Sequence, residues 1–193
     1  MPSTYTTRNG IELIATGEQS GTWGDTTNTN LQIIDRVLSG VGTIDLSGSG
    51  ASHTLTTTDG TLTDGMYKVL VLDGATETCT ITISPNDAQK LYFVYNNSGE
   101  SCVFTQGSGG DVTVANGDTQ VIYADGAGAG AAVSDFSANL AMSSVNITGG
   151  SVTGITDLAV ADGGTGASNV AGAQANLEVD PAGTAVALSI ALG

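Results

Sequence analysis

Between about residue 44 and residue 136, hydrophobic and polar positions alternate with period two, and the alternation breaks at clusters of Gly, Asp, Asn and Ser. Such a pattern predicts strands whose side chains point to opposite faces in turn. Five runs carry it most clearly: Met66 to Leu72, Glu77 to Ser84, Lys90 to Asn96, Ser101 to Thr105 and Thr119 to Asp125. They are rich in Val, Ile, Thr and Tyr and are separated by turns such as Asp73-Gly74 and Ser108-Gly109-Gly110. Shorter strands are predicted at Thr43 to Leu46, Thr54 to Thr57 and Val112 to Ala115. In Glu77 to Ser84 the alternation sets Cys79, Ile81 and Ile83 on one face and Thr78, Thr80 and Thr82 on the other, the mark of a half-buried strand. Near-regular spacing without helices between the strands points to a β-sandwich or jelly-roll-like body over residues 43–137, in a mainly β protein.

Upstream the period changes to that of a helix. Leu31, Ile34, Val37 and Leu38 recur on one face, Asp25 or Thr26 is placed to accept the first free amide hydrogens, and Gly40 to end the helix in a left-handed conformation. A short helix of this kind is marginal alone, so its apolar stripe needs a partner. The partner is either other copies of the chain or a socket on a larger particle. Trp23, the single tryptophan, stands between Gly21 and Gly24, which lets its ring project as an anchor; the competing reading is a core tryptophan packed on its own helix. Residues 1–42 are therefore expected as a separate docking unit, loosely tied to the body by glycine.

Downstream, residues 138–193 hold much Gly, Ala, Ser and Thr with a thin scatter of single aliphatic residues. One copy could not bury enough apolar surface to offset its ordering entropy, but several copies wound together could. Ile147, Val152, Ile155, Leu158 and Leu177 would then meet their symmetry mates on the axis of a fibrous shaft, the alternative being a disordered linker. The run Ala182 to Gly193 alternates small and aliphatic residues, which predicts a final strand with Val186, Leu188, Ile190 and Leu192 as its apolar face.

Charge narrows the function. Four Lys plus Arg stand against nineteen Asp plus Glu, a formal charge of −15, and no positive residue follows Lys90. Neither a nucleic acid nor an anionic membrane is an expected partner, since no sequence cluster supplies the basic patch that each requires. The acidity suits the colloidal stability of a dense assembly of identical chains. No apolar run is long enough to span a membrane and no signal peptide is expected, so synthesis in a cytoplasm is expected. Cys79 and Cys102 are then packed thiols, not a disulfide.

Little points to catalysis, and no cofactor or metal is expected. His53, the only histidine, lies in a Ser/Thr/Gly-rich stretch without ligand-type neighbours and is expected on the solvated surface. Gly163-Gly164-Thr165-Gly166 lacks the lysine of a phosphate-cradling loop. Asp59 and Asp64 are ordinary turn formers. Asp157, Asp162 and Asp180 would repeat around a threefold axis and could ring a cation, although the calcium-loop pattern is absent.

Several stretches resemble the trimeric tail fibres of tailed bacteriophages. They are Gly149 to Leu158, Ala161 to Ala167 and Ala173 to Leu177, in family order. Gly17 to Leu38 is similar to the opening of fibres from phages of marine bacteria, the end that attaches to the virion in that family. Val69 to Asp73, Thr80 to Ile83, Leu91 to Gly99 and Val121 to Gly126 follow the order of a small β-sandwich found near the proximal end of many phage fibres. The resemblance implies a structural homotrimer in the virion tail, made in the host bacterial cytoplasm. Its N-terminal unit, with Trp23, Leu31, Ile34, Val37 and Leu38, would dock to the tail or to an adaptor or nozzle protein, and its C-terminal end would meet another fibre protein. Larger fibres of this kind end in aromatic-rich receptor-binding tips, whereas no aromatic residue follows Phe136 here. The alternatives are a capsid-mounted head fibre and a carbohydrate-binding module using Tyr92, Tyr95 or Tyr123, with an enzyme third.

Overall fold

The computed structural model describes residues 2–138, 165–167, 169–179 and 184–193. The chain divides into two compact units, Met1–Ala141 and Met142–Gly193.

The first unit opens on a small antiparallel hairpin, β1 (Thr4–Tyr5) and β2 (Glu12–Leu13), followed by helix α1 (Trp23–Ser39). Nine strands come next: β3 (Val41–Asp45), β4 (Ser52–Thr56), β5 (Val69–Asp73), β6 (Cys79–Ser84), β7 (Lys90–Asn97), β8 (Cys102–Thr105), β9 (Val112–Val114), β10 (Thr119–Ala124) and β11 (Val133–Asp135). Within residues 43–137 each run that alternation predicts holds a strand, with bounds shifted by a few residues; β11, in a Gly/Ala-rich setting, is not among them.

The strands form two sheets, in the orders β11-β10-β7-β5-β3 and β4-β6-β8-β9. Strands β3, β5 and β7 are mutually parallel in the first sheet, as are β4, β6 and β8 in the second. From β3 to β8 the chain thus crosses from one sheet to the other at each connection and returns in the same direction, making three turns of a flattened coil. Only β9, β10 and β11 pair antiparallel and finish the layers. The mainly β fold agrees with the sequence, but this pairing is not that of a jelly roll. Alternation records which side of a strand is buried; it carries no record of the neighbour or its direction.

Ile44, Leu70, Leu72, Tyr92, Val94 and Ile122 from the larger sheet meet Leu55, Ile81, Ile83, Phe104 and Val114 from the smaller in one buried core. Full burial of each such side chain contributes about 1.5–3 kcal/mol. Cys79 and Cys102 are register neighbours on β6 and β8. Both are buried and free, and burial pushes both thiols up, which makes them inert packing groups.

Asn96 and Gln106 in the interior have definite partners, whereas Gln120 Oε1 is buried without one among the described residues. Asn96 is fully buried; its Nδ2 donates to the carbonyls of Glu100 and Val114, each at 2.8 Å, and its Oδ1 accepts from the Ser98 amide and hydroxyl. Gln106 donates to the Ala88 and Pro85 carbonyls and accepts from the Gly126 amide, pinning three connections together.

Lys90 is 7% exposed and its Nζ donates to Asn9 Oδ1 at 3.2 Å. Burial pulls this ammonium down to about 8 from 10.5. Between those two values the unfolded chain holds a proton that the folded chain has released, so stability increases with pH through that window. Unfolding free energy is expected to rise by about 2–3 kcal/mol between pH 7 and pH 10.5 through this group. The Lys90→Met variant should be more stable than the parent at pH 7 and lack the rise, as read from urea midpoints across the range.

The N-terminal segment is not a separate unit. Its expected boundary near residue 42 falls inside β3, and the whole of Met1–Ala141 is one compact body. Asn30 on α1 bonds the backbone of Glu12 in both directions, Arg8 Nε donates to Gln89 Oε1 at 2.9 Å, and Arg36 donates to the Thr63 carbonyl. α1 begins at Trp23, ahead of the expected caps, with no side-chain cap at Thr22. Gly40 is extended (φ −66, ψ 131) instead of left-handed. Backbone pairing is the cause: the Gly40 carbonyl accepts from the Lys68 and Val69 amides, so the chain passes straight from helix into β3.

In the second unit, α2 (Val170–Asn176) is capped by the Asn169 side chain, which accepts from the Gly172 amide. Residues 184–192 form helix α3 (Thr184–Leu192), not the strand expected of the alternating run. Ala and Leu are strong helix formers, and Val186, Leu188, Ile190 and Leu192 consequently fall around the helix with no common apolar face. No helix among the described residues is long and apolar enough to cross a membrane.

Candidate interaction surface

Strand alternation leaves each sheet one outward face, and the two faces differ in chemistry. The smaller sheet shows Thr54, Thr80, Thr82, Thr105 and Thr113 around a single Val103. Register on the larger sheet aligns Val41, Val69, Phe93 and Val121 in one row across β3, β5, β7 and β10. Phe136 extends that row, since its amide donates to the Val121 carbonyl. Leu91 with Tyr123 and Val71 with Tyr95 form the flanking rows. Phe93 is 42% exposed, and Val41 and Phe136 are 63% exposed. Lys68 stands over this face with its Nζ 5.8 Å from the centre of the Phe93 ring, and at the far end of the strands Asp45, Asp73 and Asn97 form a polar row on the same face. Threonine is what a solvated outer sheet face ordinarily carries; a row of valine and aromatic residues is what an interface carries.

α1 adds a second uncovered stripe. Trp23 is 62% exposed, and Leu31, Ile34 and Leu38 are also exposed, spaced three and four apart on one line of the helix. The residue that fixes α1 to its own chain is Ile33, fully buried, which the periodic reading passes over; Val37 is half-buried. Trp23 is thus not packed in a core of the described chain. Leu177, half exposed after α2, is the one shaft residue that can be placed; Ile147, Val152, Ile155 and Leu158 lie outside the described residues.

Of the three tyrosines considered for sugar stacking, Tyr92 is buried and donates to the Gly65 carbonyl at 2.7 Å, while Tyr95 and Tyr123 lie on the outer apolar face. His53 is not the freely solvated residue expected. It is half-buried, its Nε2 lies 3.0 Å from Asp64 Oδ2, and its Nδ1 lies 3.5 Å from Ser49 Oγ. Asp64 also accepts from the Thr56 amide, so both of its oxygens are committed. The Ser49 contact is at the far limit of a hydrogen bond. This is a fastening of β4 to the turn Asp64–Met66, not a nucleophile held for attack. Among the described residues, no three His, Cys, Asp or Glu side chains gather into a metal-binding group. Asp157, Asp162 and Asp180, and the Gly163-Gly164 turn, lie outside the described residues.

No known protein family, curated protein or solved structure matches this chain.

Proposed function

We propose that this chain is a self-associating structural protein of the bacteriophage tail-fibre class. It acts as a homotrimer in the virion tail, docking through its N-terminal end to a tail, adaptor or nozzle protein and presenting its C-terminal end to a further fibre element. The observation that carries the reading is the outer face of the five-stranded sheet. Taking about 200 Å² for each aromatic side chain, the exposed parts of Phe93, Tyr95, Tyr123 and Phe136 alone amount to roughly 300–400 Å². With the neighbouring valines this is a substantial share of the roughly 800 Å² that each partner contributes to a standard interface. The stripe of Trp23, Leu31, Ile34 and Leu38 supplies a separate apolar surface for docking, and sequence resemblance supplies the phage context. Function then resides in assembly and in repeated presentation, not in turnover.

Light scattering of the full chain at two concentrations tests this. A mass of three protomers is expected, and Phe93→Asp should lower the mass or raise the dissociation concentration at least about tenfold, at a cost to monomer stability of about 1–2 kcal/mol that urea denaturation measures separately. A full chain that is monomeric at both concentrations overturns the reading. A carbohydrate-binding module is the second reading, favoured by the outward Phe93, Tyr95 and Tyr123. The valines around Phe93 offer no hydrogen bonds to sugar hydroxyls, whereas Asp73 and Asn97 beside Tyr95 do, and binding on a glycan array would favour this reading.

A further inference from the structure

The four positive side chains of this acidic chain are scattered in sequence at positions 8, 36, 68 and 90, yet the fold gathers them at one end of the body. Arg36 closes α1 just ahead of β3, Lys68 precedes β5, and Lys90 opens β7. Because those three strands are parallel, their starts lie at the same end, and the strap between β1 and β2 brings Arg8 to them. Arg8, Lys68 and Lys90 line one cavity of about 180 Å³, together with Tyr67. Arg36 stands over the Tyr67 ring, 4.5 Å from its centre.

Nineteen carboxylates are present in the chain, but none lines this cavity. Among the described residues the one ion pair is His53 with Asp64, so none of the four cations has a carboxylate partner there. Lys90 is the informative member. Its ammonium carries three donors, is more than nine-tenths buried, and has Asn9 Oδ1 as its hydrogen-bond partner. A buried charge costs several kcal/mol unless something of opposite sign meets it. The strap that roofs the cavity is held in place: Gly10 has φ +60, and a Cβ there would lie 2.9 Å from the Thr58 carbonyl oxygen.

We propose that the cavity beneath the strap is an anion site, taking one compact oxyanion, a carboxylate or a phosphate, between Lys90 and Arg8, with Lys68 lining the wall while its ammonium lies over Phe93. Its volume suits a group of that size and is below the roughly 300–1,000 Å³ of pockets that hold drug-sized ligands. The site does not depend on the fibre reading. A carboxylate could be presented by an acidic protein segment, whereas phosphate would come from solution; the two sources share the same recognition chemistry.

Calorimetric titration of the full chain with inorganic phosphate, and separately with an acetylated tri-aspartate peptide, at matched ionic strength, tests the site. One saturable site per chain is expected. Lys90→Met should weaken it at least about tenfold, and Arg8→Gln, an exposed substitution that leaves the core untouched, several-fold. Tighter binding of the peptide identifies a protein carboxylate as occupant, and tighter binding of phosphate a free ion. No saturable binding of either probe, or equal binding by the parent and both variants, overturns the proposal.

Discussion

Replacing Asn96 with Asp is expected to cost the body about 4–5 kcal/mol, enough to unfold a domain of ordinary stability. The side chain is fully buried and all four of its hydrogen-bonding positions are taken, two as donor and two as acceptor. Aspartate keeps the acceptor side toward Ser98 but turns an oxygen toward the Glu100 and Val114 carbonyls, where the amide had donated. Two carbonyls lose their partner, and a carboxylate is left without a counter-charge. Urea denaturation at neutral pH is the measurement. A loss under about 1 kcal/mol would mean that this network does not hold the β7–β8 connection against β9.

Placing a methyl group on Gly42 is the second large effect, about 3 kcal/mol or more. The φ of this residue is unexceptional; the constraint is space. A Cβ built on Gly42 would lie 2.5 Å from Cε2 and 2.6 Å from Cγ of Tyr67, whose ring also carries Arg36. Gly42→Ala therefore has to expel the ring or bend β3. In the Tyr67→Ala background the same change should cost little, giving a coupling of about 2 kcal/mol in a double-mutant cycle. Additive losses would show that the ring is not the obstacle.

Legible in the sequence is whatever a single strand or helix displays on its own. Cys79, Ile81 and Ile83 face inward and Thr80 and Thr82 outward, as alternation indicates. Pairing is not legible, because Val69 beside Phe93 and Cys79 beside Cys102 result from connections that change sheets, and no local pattern encodes that. On α1 the conspicuous stripe of Leu31, Ile34 and Leu38 faces outward, whereas the packed side is Ile33 with Asn30 and Arg36 around it. Polar residues with intramolecular partners look in sequence like polar residues in water. The same blindness hides His53 with Asp64, and the convergence of Arg8, Lys68 and Lys90. The C-terminal run misleads because alternation among alanines is a weak signal against their helix propensity.

The placement of the first and last strands of the larger sheet has a mechanical consequence. β3 and β11 are its two opposite edges, and because β10 runs antiparallel to both β7 and β11, β11 points the same way as β3. The sheet is entered at the start of β3 and left at the end of β11. Tension applied to those two points pulls the edges lengthwise in opposite senses, so the ladders between them are loaded in shear. Their hydrogen bonds share the force together instead of opening one at a time, as they would if peeled from one end. A sheet entered and left in this way resists extension, and the rate at which it yields, not its equilibrium stability, governs how long it survives a pull.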